Sequence, residues 1–123
     1  MDTVNYFNIQ GVNMEKAVDV AAEAEKRLAV IFGDKLVKVM LYGSYAQNQQ
    51  DDASDIDILA LVREIDENIS TRRDEVADIV AELSSKHDIF VSIIVKDENL
   101  FHKRAEYVPF YMNAKNKSIE LHG

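Results

Sequence analysis

The sequence predicts an α/β fold, a small mixed sheet with flanking helices, and three observations predict it. Two stretches carry apolar residues at helical spacing, three short runs are rich in β-branched and apolar residues, and one helical stretch falls between the second and third runs. Strand, helix, strand in that order allows a parallel pair. The chain has 123 residues, 47% of them hydrophobic and 29% charged, which suits one domain over residues 1–123. At this length folding buries roughly two-thirds of the extended chain's surface, so a core forms without metal or disulfide help.

The elements follow in order. Over residues 14–32, Met14, Ala17, Val18, Ala21, Ala24, Leu28, Ile31 and Phe32 recur between charged residues, the period of an amphipathic helix. Asn13 is its expected N-cap, and Gly33-Asp34 its stop. Residues 36–42 read as a buried strand that ends at Gly43. The polar stretch 44–53 is expected to form a short helix and a loop, longer than a hairpin requires and of the length kept for function. Residues 55–62 form the second strand. Asp55, Asp57, Leu59 and Leu61 share one face and Ile56, Ile58, Ala60 and Val62 the other, which makes it central. Ile69, Val76, Ile79, Val80 and Leu83 mark a second helix with Ser70 or Thr71 as cap. Residues 88–95 form the third strand, and short helices over 98–105 and from Pro109 follow.

Charge and composition exclude whole classes of function. With 14 Lys and Arg against 22 Asp and Glu, the net charge of −8 repels a phosphate backbone, so no duplex nucleic acid is expected as a partner. The absence of cysteine removes disulfides, thiolate zinc sites and a cysteine nucleophile, and fits a reducing, cytoplasmic setting. No apolar run reaches about 18 residues and the first residues lack a signal-peptide pattern, so no membrane is expected either. Lys103, Arg104, Lys115 and Lys117 form a basic cluster that reads as a solvated face or as a phosphate or partner site. Beside them Phe101, Tyr107, Phe110 and Tyr111 read as core packing or as a surface for a base or partner.

Chemistry concentrates where the long loop meets the strands. Asp55 and Asp57, two residues apart on a strand, point the same way with α-carbons about 6.6 Å apart, and can grip one divalent cation. Oxygen ligands without His or Cys suit magnesium or manganese, which bridge carboxylates and phosphates. Gly43 lets backbone approach a phosphate, and Ser44 adds a hydroxyl and an N–H.

Gly43-Ser44, the ten residues 45–54 and then Asp55-Ile56-Asp57 resemble the G-S-x(10)-D-x-D signature of the minimal nucleotidyltransferases in the DNA polymerase beta-like superfamily. The resemblance extends over most of the chain and implies that superfamily's nucleotidyltransferase fold. It implies magnesium- or manganese-dependent transfer of a nucleoside monophosphate, with AMP taken from ATP favoured, to a hydroxyl. In the antitoxin branch that hydroxyl belongs to a tyrosine of a HEPN-domain toxin. Carried over, Gly43 and Ser44 bind the triphosphate and Asp55 and Asp57 hold metal. A third carboxylate comes from the next strand, where both Asp88 and Ser92 align; Asp88 is taken as the third catalytic and metal-holding acid. With Ser92 in that place only two acids remain, and the alternative is a pseudoenzyme that binds its partner. Relatives commonly continue G-S-x-A-R-G, whereas Gln47 and Asn48 follow Ala46 here, so a basic residue near the phosphates is missing.

Overall fold

The computed structural model describes residues 3–43, 55–117 and 119–122. Helix α1 spans Thr3–Phe32, and Met14, Ala17, Val20, Ala21, Ala24, Leu28 and Phe32 are its buried stripe. The helix therefore starts well before Asn13, which is an interior position of the helix and not its N-cap. No proline interrupts residues 3–13, and the one glycine there, Gly11, costs a helix only about 1 kcal/mol, too little to end it. Gly33, at a φ of 59°, turns the chain out of α1 through a short 3₁₀ turn, Gly33–Lys35.

Strands β1 (Leu36–Tyr42) and β2 (Ile56–Val62) pair antiparallel, and β3 (Val91–Asp97) lies parallel to β2. Between β2 and β3 come α2 (Asp66–Ser70) and α3 (Arg73–His87). Helices α4 (Glu98–Arg104) and α5 (Pro109–Lys117) lead to β4 (Ile119–His122), which adds antiparallel to β1 and gives the order β3-β2-β1-β4. This fourth strand is unanticipated, because four residues carry too little periodicity to read. Lys38 and Glu120 pair across it at 2.8 Å.

The alternation read along β2 sorts its residues into two cores. Ile56, Ile58, Ala60 and Val62 pack with α1 and α3, while Leu59 and Leu61 pack with Met40, Phe101, Ala105, Tyr111 and Ala114 under α4 and α5. The sheet is thus covered on both faces, as a strand apolar on both faces requires. The rings of Phe101 and Tyr111 meet edge to face with centroids 5.5 Å apart, so the core-packing reading holds for this pair.

Two further boundaries differ from the sequence reading. The second helix is split, because the hydroxyls of Ser70 and Thr71 donate backward to the carbonyls of Glu67 and Asn68, at 2.8 and 2.6 Å, and close α2 instead of capping α3. The third strand begins at Val91, not Asp88. Helix α3 runs on to His87, and Asp88 ends it in the left-handed conformation at φ 52°, ψ 49°. An aspartate tolerates that geometry better than most side chains.

Helices α1 and α3 are also tied by charge. Glu23 accepts from Lys86 at 2.7 Å and contacts His87 at 2.9 Å, and these two hydrogen bonds, Lys86's first, lower its carboxyl to about 2 despite some desolvation. A carboxyl lowered in the folded state contributes stability that is present above its ordinary value near 4.5 and is lost as pH falls toward 2. The group is a third exposed, so solvent screens it and the contribution is about 1 kcal/mol or less. Urea unfolding of Glu23→Gln is expected to show that loss at pH 7 and a flatter pH dependence between 4.5 and 2 than the parent.

Candidate active site

The two registers that meet at β2 align three polar side chains across the sheet. Tyr42 of β1 is paired with Asp57 of β2, and Asp57 with Ser92 of β3. Tyr42 and Ser92 are also hydrogen-bond partners. The row therefore lies on the face that carries Leu59 and Leu61 deeper in the sheet. Asp55, exposed and just ahead of β2, falls on the same face two residues before Asp57.

Gly43 closes the row at the end of β1. Its φ is 76°, and a Cβ placed there would lie 2.5 Å from Oδ2 of Asp57. Glycine is required twice over, once for the backbone angle and once because the carboxylate rests where a side chain would be. The nearness of Gly43 to Asp57 is the tertiary content of the glycine-to-aspartate spacing seen in the sequence. Ser44, read beside it as a phosphate ligand, lies outside the described residues with the rest of the 44–54 connection.

Asp57 is half-buried, and desolvation first, then the charge of Asp55, raises its carboxyl above the ordinary aspartate range. The two like charges repel, and a divalent cation with hard oxygen preference fits that donor set. Asp55 and Asp57 are the residues that would hold it. Burial, then the Asp57 charge, raises the Tyr42 phenol to about 12 against the opposing hydrogen bond of Ser92, so it stays neutral near pH 7.

Asp88 does not join them. It sits at the exposed end of α3, three residues before β3, and among the described residues no three acidic, histidine or cysteine side chains come together as a metal ion would need. The β3 position beside Asp57 belongs to Ser92. The third strand expected over residues 88–95 loses Asp88 because α3 extends beyond its last buried residue, Leu83, to His87 and takes Asp88 as its cap. Tyr42 was legible only as the last residue of a strand, since its partnership with Ser92 depends on two separate strand registers. A cavity of about 660 Å³ lies between α2, α3 and β3, lined by Ile69, Val76, Val80, Ile93 and Val95. Neither Asp55 nor Asp57 lines it, although Ser92 does.

With this geometry the chain can be set beside known proteins. A family described as polymerase beta, nucleotidyltransferase matches residues 26–107. The chain is 30% identical over 104 residues to a Methanocaldococcus jannaschii protein named as a protein adenylyltransferase, covering 85% of this chain and 97% of that one. The crystal structure of a Sulfolobus solfataricus nucleotidyltransferase superposes with a TM-score of 0.61 at 25% identity, over 87% of this chain and 80% of that one. A toxin–antitoxin structure with AMP-PNP shares the fold, with a TM-score of 0.52 at 21% identity over 91% of this chain and 74% of that one.

Proposed function

Because this chain belongs to the polymerase beta nucleotidyltransferase family, we propose that it moves AMP from ATP, with magnesium, to a tyrosine hydroxyl of a partner protein. The partner we propose is a HEPN-type toxin, with this chain as its antitoxin. The observation that carries the reading is the carboxylate pair Asp55 and Asp57, with Asp57 resting against the backbone of Gly43. A protein as the acceptor is supported by the name of the archaeal relative, and the toxin by the sequence resemblance.

Each residue then has a task. Gly43 brings the main chain close enough to meet phosphate oxygens, and Ser44 adds its N–H and hydroxyl to them. The chemistry that magnesium supplies, when held by Asp55 and Asp57, is charge neutralisation and polarisation at the reacting phosphate. Tyr42 and Ser92 hold each other beside Asp57 and keep the carboxylate in its place at the end of the row. In the transfer the tyrosine oxygen bonds to the α-phosphorus, the bridging bond to the β-phosphate breaks, pyrophosphate leaves in line, and the phenol proton is released to water.

Two repelling acids exclude a bare triphosphate, so ATP is expected to bind only with a divalent cation. Calorimetric titration with ATP in magnesium and in EDTA checks it. Equal affinity in both overturns the assignment of Asp55 and Asp57.

A further inference from the structure

We infer that Phe90 is the acceptor-side platform of this site, an aromatic ring against which the planar side chain carrying the attacking hydroxyl stacks. The inference rests on the proposed reaction and adds where its acceptor enters and which side chain receives it. The strands set out the site in sequence across the sheet, with Gly43 on β1, the carboxylates on β2 and the first residues of β3 beyond them. Phosphates at Gly43 put the leaving pyrophosphate on the β1 side. In-line displacement then brings the attacking oxygen from the β3 side.

On that side the chain presents Phe90. Its carbonyl accepts from the N–H of Ile56 at 2.9 Å, which sets it level with Asp55. Strand alternation puts its ring on the face of Ser92 and Asp57, since Val91 between them enters the opposite core. The ring is 78% exposed, although its neighbour Val91 is buried. This exposure is not fraying. On one side Ile89 N–H donates to the Ser84 carbonyl, on the other Val91 N–H donates to Ser84 Oγ, and Asp88 before them is fixed as the cap of α3. The backbone that carries this exposed apolar ring is thus hydrogen-bonded on both sides and level with Asp55, and no packing among the described residues accounts for the exposure.

A flat apolar platform favours a phenol over an aliphatic alcohol, because ring–ring contact adds to the burial. The assay uses the full chain with ATP and magnesium, and N-acetyl-tyrosinamide or N-acetyl-serinamide as acceptor. The parent is expected to prefer the tyrosine compound. Phe90→Ala should lower kcat/KM for it about tenfold through KM, leave ATP affinity by calorimetry unchanged, and be rescued by Phe90→Tyr. A parent that transfers to tyrosinamide while Phe90→Ala does so equally overturns the platform alone. An ATP affinity that falls in step with transfer also overturns it, by assigning the ring to the nucleotide. A parent that binds ATP with magnesium and transfers to neither compound overturns the proposed reaction and the platform with it.

Discussion

Asp57→Asn is expected to abolish nucleotide transfer, by at least about a thousandfold, in a protein that unfolds no more easily than the parent. The size of the loss follows from removing one of the two carboxylates proposed to hold the cation, where charge stabilisation is worth several kcal/mol and each 1.4 kcal/mol is about tenfold in rate. The stability follows from the sign of the Asp57 shift. Burial and Asp55 raise its carboxyl in the folded protein, so the stability this group allows is fully present below its ordinary value of 3.8 and is lost as pH rises through the folded value. Asparagine keeps the neutral form at every pH. Thermal unfolding in EDTA at pH 7 should therefore show a midpoint equal to the parent's or slightly above it, with transfer to a tyrosine acceptor measured in magnesium. A variant that keeps a tenth of the activity removes Asp57 from the site. Asp88→Asn serves as the control and leaves turnover as it is, because Asp88 caps α3 and does not meet the carboxylate pair.

Gly43→Ala is expected to be the most damaging change of a single methyl group. An alanine at a φ of 76° costs about 1–2 kcal/mol in backbone strain. Its Cβ, 2.5 Å from Oδ2 of Asp57, then forces either the carboxylate or the end of β1 to move. A displacement of about 1 Å at reacting groups can cost about a hundredfold in rate, so turnover should fall by that order while the midpoint of unfolding drops by several degrees. Circular dichroism melts and transfer rates on the same preparation separate the two effects. If the rate falls no further than the unfolded fraction at assay temperature accounts for, the contact between Gly43 and Asp57 has no part in catalysis.

What was legible in the sequence was local. The period of two recovered β2 to within one residue and divided its side chains correctly between the two cores, because a strand apolar on both faces has only one place in a small sheet. The period near 3.6 recovered most of the buried stripe of α1 from Met14 to Phe32, passing over Val20 and including the partly buried Val18 and Ile31. It missed the first part of that helix, which extends without an apolar stripe that a pattern would notice. The signature residues Gly43, Asp55 and Asp57 were likewise legible, since they stand at fixed spacing and each is a residue type chosen for its chemistry.

By itself, then, the sequence determined the α/β class, the central strand, the glycine that ends β1 and the paired carboxylates at the start of β2. Only the tertiary structure decided which residue stands beside Asp57 on β3, that Tyr42 completes the row, that Phe90 is held out in solvent, and that a fourth strand closes the far edge. The physical reason is register. Spacing along one chain is set by covalent geometry and can be read residue by residue, whereas the offset between two strands depends on where the helix between them stops. Here three non-helical residues after α3, the left-handed Asp88 followed by Ile89 and Phe90, moved the start of β3 to Val91, and a serine stands where an acid had been expected.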